Sequence, residues 1–438
     1  MISRNSLSNF VKFLPLVGLV AFYFDSSFIE LRMLYPRLDS NSLYTIFFIG
    51  FTSSIIIVVG LLYIIHNSLR NQILGSLFLF NVVVTISQLV IIGILIVTLL
   101  QYQIEGTYSF TNVEILLILS YGTGLFFAGL SAVRFIGWYN YERKAVVLGY
   151  GIVMCVIILF LFSSVAYAAY EIYTPYRLQI NSPDFTIQIS GKNQDPNSFG
   201  FIYYYTYILT FLSVWTITLL FLKSRLGKVR PILFYSILFV PLLYFLLPLI
   251  PQFSASVAKM IVRLPYFYNT FYLLFFSGTG TIGGIIFATA LMLFARKFED
   301  RAIKTYLLIS AIGMLLFFIA NKSPPLAEDV SPPFGLVSKS FVGLSCYMIF
   351  LGFYSIVVYL TRKDKLTTTV VAQMSKDELF GSLIRSEQEK SIQSVVNRSM
   401  AILQEHQEIE SKEMSVSEIN DLIAAVKREL STSKRKED

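Results

Sequence analysis

Asn81, Thr85 and Gln88 stand four and three residues apart in an otherwise apolar run, a spacing that puts three hydrogen-bonding side chains on one face of a helix. Such a face must look into a bundle, where it either bonds across to neighbouring helices or lines a route for a small neutral solute. Ser120, Thr123 and Ser131, in a glycine-rich run further on, are the partners the sequence offers it. A second motif, GTGTIGG at 278–284, places glycines at 278, 280 and 283. That pattern superficially matches a dinucleotide loop but lacks the preceding strand such a loop needs. Gly280 and Gly284 are therefore read as a small-residue pair that lets another helix approach closely. In PILFYSILFVPLLYFLLPLIPQF, Pro241 and Pro248 each remove a backbone donor inside an apolar run, which predicts a kink that serves as a packed bend or a hinge.

Residues for catalysis are missing from the pattern. The two histidines, His66 and His406, have no neighbour at ligand spacing, so no metal site, cofactor, catalytic residue or enzymatic activity is expected. No acidic residue or histidine stands near the middle of an apolar run, which argues against an ion- or proton-coupled pump. Glu114 and Arg134 lie near opposite ends of one run, where their heads reach the interface.

The elements that would position the polar face are membrane spans. Of 438 residues, 55% are hydrophobic and 14% charged, against about 25% charged in a soluble domain. Ten runs approach or exceed the length that crosses a hydrocarbon core: 9–24, 44–65, 74–100, 113–137, 145–169, 201–222, 229–250, 269–294, 303–320 and 338–360. Only helices satisfy their own backbone in lipid, so the fold class is all-α, a polytopic bundle over 1–360. A soluble helical tail occupies 361–438. The first run is read as a retained anchor, since no small-residue cleavage site follows it.

Lys and Arg residues alternate between the two sets of loops. One set carries sixteen, among them Arg143, Arg225, Arg296 and Arg362; the other carries eight, from Arg32 to Lys339. The positive-inside rule then puts both termini in the cytoplasm of a cell membrane and requires an even number of spans. The net charge of +8 is accounted for by these flanks, and no nucleic-acid partner is expected. Tyrosines around the 170–200 loop read as an interfacial belt. Cys155 and Cys346 fall inside spans and imply no disulfide framework. The stretches 121–144 and 277–301 both open near Gly-Thr-Gly and close on basic residues, which suggests a parallel repeat of three helices.

In the tail, 375–409 is helix-forming with a broken heptad seam, a weak coiled-coil pattern. Ser415 and Glu418 form a capping box, and Ile419, Leu422, Ile423, Val426 and Leu430 make an apolar stripe on the helix that follows. Such a stripe needs a second copy, a neighbouring helix or a cytoplasmic partner to cover it.

The segment SPPFGLVSKSF at 331–341 and the helical tail with SVSEINDLIAAVKREL resemble a family of uncharacterised polytopic membrane proteins of archaea. That resemblance implies a membrane bundle with a tail and no activity. The expectation is a non-enzymatic multi-pass protein that senses or signals, its tail binding a partner or dimerising. The alternative is a channel or facilitator for a small neutral solute.

Overall fold

The computed structural model describes residues 75–105, 109–141, 145–173, 198–226, 279–296, 300–321 and 336–362 almost continuously, and scattered positions in 48–66, 239–243 and 383–396. Among the described residues the secondary structure is helical, without strands. We number the helices α1 (Gly75–Glu105), α2 (Phe110–Tyr141), α3 (Ala145–Tyr173), α4 (Ser198–Leu226), α5 (Thr279–Ala295), α6 (Arg301–Ala320), α7 (Leu336–Lys339) and α8 (Val342–Arg362).

Five of these segments are long and apolar enough to cross a membrane: α1, α2, α3, α6 and the α7–α8 stretch Leu336–Val358. Their 20 to 31 residues match or exceed the roughly 30 Å of hydrocarbon at 1.5 Å per residue. In α1, Leu77, Val84, Ile91 and Leu95 are buried while Phe78, Val83, Ile86, Leu89 and Val90 on the other face are exposed. A helix apolar all round has no face for water, which indicates a membrane location. The described helices also outrun several of the sequence windows; α2 covers 110–141 where hydropathy marks 113–137, because helical backbone continues through its polar ends.

Among the described helices, six close a ring. α2 packs on α3, α3 on α4, α4 on α5, α5 on α6, α6 on α8, and α8 returns to α2. α1 lies outside, against α2 and α8. The ring thus comprises two three-helix runs, each with its last helix against the other's first. Side chains from α3, α4, α5, α6 and α8, including Tyr150, Met154, Ile217, Phe287 and Phe353, line a cavity of about 20 Å³, room for about one water.

The α7–α8 stretch is the most enclosed, with 94% of its most apolar window buried. Ring contacts give relative directions. α2 and α8 run parallel, since Phe127 meets Tyr347 and Phe135 meets Phe353, whereas α6 runs antiparallel to α8, pairing Gly313 with Ser345 and Ser310 with Gly352. Asp300 starts α6 as an N-cap, accepting from the Ala302 amide at 2.8 Å.

Candidate functional site

Polar side chains converge where α7 gives way to α8. Neither proline nor glycine occupies the junction, Ser340–Phe341, so its cause lies in another helix. The hydroxyl of Ser120, from α2, donates to the Lys339 carbonyl at 2.6 Å and accepts the Gly343 amide at 3.4 Å. Those two backbone groups are four residues apart and would bond each other in an unbroken helix. Ser120 is therefore inserted into the helical ladder, one of the known causes of a sharp break. The next carbonyl, that of Ser340, accepts from Gln88 Nε2 of α1 at 3.3 Å, and α8 proper begins with the Ser345 amide on the Phe341 carbonyl at 2.8 Å.

Close approach of α2 depends on Gly343. A Cβ there would stand 2.8 Å from the Ser120 carbonyl oxygen and 2.9 Å from Thr123 Cβ, distances that real Cβ atoms do not tolerate. Glycine at this position lets the Ser120 hydroxyl reach the ladder.

Lys339 is 1% exposed. Its Nζ donates at 2.8 Å to the Ala320 carbonyl at the C-terminal end of α6, where the helix dipole favours a cation. Asn321 completes that end: its Nδ2 donates to the Phe317 carbonyl at 2.8 Å, and its Oδ1 accepts from the Tyr121 hydroxyl at 3.2 Å. Thus α1, α2, α6 and the broken helix are tied together by side chains bonding to backbone ends.

Of the residues singled out by the sequence, Asn81 and Gln88 are buried, Gln88 against this junction and Asn81 against Tyr347 of α8, whereas Thr85 is half-buried. Asn81 Oδ1 accepts from the Tyr347 hydroxyl at 3.4 Å. The Thr85 hydroxyl donates within its own helix, to the Asn81 carbonyl at 2.7 Å. The expected partners differ from those found: Ser120 engages the break, Ser131 returns to its own Phe127 carbonyl, and Thr123 meets Ser87 at 3.2 Å. Gln88 Oε1 is buried with no hydrogen-bond partner.

Gly280 and Gly284 both lie in α5. Gly284 packs on α6, where an added Cβ would be 2.9 Å from Phe318 Cβ, and the adjacent Gly283 is covered by the Phe211 ring of α4. Small residues in α5 therefore serve two neighbours. Pro241, Pro248 and the tail stripe Ile419, Leu422, Ile423, Val426 and Leu430 lie outside the described residues.

Sequence reasoning missed Lys339, assigning it to a loop flank, and missed the break. The available signal was Ser338-Lys339-Ser340 with Gly343, a polar cluster at the mouth of an apolar window. It also missed a contact at the other end of α2. Trp138, 2% exposed, donates its indole N–H at 2.6 Å to Glu387 Oε2, and nearby tail residues Leu383 and Ser386 are fully buried. Trp138 sits edge-on to Phe135, which stacks on Tyr150 and meets Phe353, so the partner of Glu387 shares an aromatic cluster with α3 and α8. Among the described residues no group of three His, Cys, Asp or Glu side chains could hold a metal ion.

A comparison of the chain with family models, curated proteins and solved structures finds no match.

Proposed function

We propose that the chain is a ten-span integral protein of the cell membrane that signals, passing the state of its helix bundle to a cytoplasmic helical tail, and that it is not an enzyme. The observation that carries this reading is the Trp138–Glu387 hydrogen bond with Leu383 and Ser386 buried beside it. A tail that served only as a tether would not need residues in the bundle core.

The Lys/Arg asymmetry supports cytoplasmic termini, since the α2 end bearing Trp138 and Arg143 belongs to the richer set of loops. The stripe Ile419, Leu422, Ile423, Val426 and Leu430 is the surface for a cytoplasmic partner or a second copy. The resemblance to uncharacterised archaeal membrane proteins agrees with this architecture and adds no activity. A facilitator would need the Asn81/Gln88 face to line a passage, whereas Gln88 Nε2 and Asn81 Oδ1 bond to Ser340 and Tyr347.

Full-length protein in lipid nanodiscs tests the reading. Trp138→Phe keeps the ring packing and removes the donor; proteolysis within 383–396 is expected to rise about tenfold or more, as losing a charge-assisted bond of about 1.5 kcal/mol predicts. Photo-crosslinking from Leu422 or Val426 should capture a protein, either a soluble partner or a second copy, with a yield altered by Trp138→Phe and abolished by Leu422→Asp. Unchanged proteolysis together with capture of lipid alone would end the signalling proposal.

A further inference from the structure

We propose that the Ser120 hydroxyl is a switch element: inserted, it breaks the α7–α8 helix; withdrawn, it lets Lys339 and Gly343 close their own backbone bond and the helix run unbroken from Leu336. This deepens the signalling proposal by naming the moving part, and rests on that reading only for what the movement is used for.

Three observations meet at this point. The two groups that Ser120 separates are each other's natural partners, at i and i+4, so the alternative state needs no new sequence contact. The inserted state is unevenly bonded: the hydroxyl holds the carbonyl at 2.6 Å but the amide at 3.4 Å, beyond the usual 2.7–3.2 Å for N–H donors. The neighbouring clamp, Gln88 on the Ser340 carbonyl at 3.3 Å, is also long, and the other end of that amide is unpartnered. Closing the ladder would give the Gly343 amide a full-strength acceptor and return the Ser340 carbonyl to its own helix.

The movement has somewhere to go. α7 carries Lys339, whose Nζ grips the end of α6 through the Ala320 carbonyl. Straightening the Leu336–Lys339 turn redirects that grip, while α2, relieved of its insertion, shifts against α8. α2 is also the helix that holds Glu387 through Trp138 at its far end. Both ends of the proposed signal thus lie on one helix, about 18 residues apart in sequence, or roughly 27 Å along the axis.

The experiment is backbone amide exchange at Gly343 in the full-length protein in nanodiscs, read by NMR or by fragment mass spectrometry, for wild type, Ser120→Ala and Gly343→Ala. Removing the hydroxyl should slow exchange at residue 343 by about fivefold or more as the helix closes on the Lys339 carbonyl. Gly343→Ala should do the same, because its methyl pushes the Ser120 backbone away. If exchange instead speeds up or stays the same in Ser120→Ala, the hydroxyl is only a cap on a permanently broken helix and the switch is overturned. Trp138 fluorescence, recorded on the same samples, reads the link to the tail separately: slowed exchange with an unmoved Trp138 keeps the switch and removes its connection to signalling.

Discussion

The two halves of the α7–α8 stretch are held by opposite means. Around Lys339–Gly343 the helix is tied by directional bonds to Ser120, Gln88 and Ala320. From Ser345 onward, apart from the Tyr347–Asn81 bond, it is held by shape. Gly313 of α6 would place a Cβ 2.8 Å from Met348 Cβ, and Gly352 would place one 2.6 Å from the Tyr306 carbonyl and into the Ser310 hydroxyl. The two backbones therefore touch reciprocally over two turns. At this packed contact the hydroxyls of Ser355 and of Ser310 on α6 are buried without hydrogen-bond partners, so van der Waals contact has prevailed over polar satisfaction. The contrast is that packing resists displacement in every direction, whereas a set of long hydrogen bonds can exchange partners; the movable part of the helix should be its bonded half.

The strongest challenge to that contrast is Gly352→Leu. Four extra carbons have no space between α6 and α8, and overpacking of this kind costs about 3 kcal/mol or more. Thermal unfolding in nanodiscs should fall by several degrees for this variant and far less for Ser120→Ala. Equal losses would mean that the two halves are held alike.

Asn321→Leu comes next. It removes one acceptor of the Tyr121 hydroxyl and the side-chain donor to Phe317, two buried bonds, for about 2 kcal/mol. Because these bonds fasten the end of α6 that Lys339 grips, the loss should be accompanied by faster amide exchange at 317–321, with exchange across 345–356 unchanged.

Much of the scaffold was legible because it depends on local pattern. Apolar runs of bilayer length become helices wherever the backbone can satisfy itself only internally, and the i, i+7 spacing of Asn81 and Gln88 sends both to the interior. The junction depends instead on residues far apart in the chain. Ser120 is 219 residues from Lys339, and neither Ser340 nor Phe341 is itself a proline or glycine. Lys339 read as a flanking charge because it stands at the edge of its window, and only the fold reveals that this edge is covered. Gly313 and Gly352 stand as single glycines, unlike the glycine-rich run at 278–284, yet the closer backbone contacts fall at the single ones. The Trp138–Glu387 contact spans 249 residues, beyond any periodicity.

Ser355→Ala is the subtlest test, and its sign is what matters. A buried hydroxyl with no partner has lost its hydration without replacement, so removing it should be neutral or stabilising by up to about 1 kcal/mol. Ser120→Ala removes the same atom 235 residues earlier in the chain, yet there two backbone groups depend on it. Differential unfolding of the pair holds chemistry constant and varies only context. If Ser355→Ala destabilises, its hydroxyl has a partner such as an internal water, the packed half is polar after all, and the argument that only the Ser120 end can exchange bonds loses its basis.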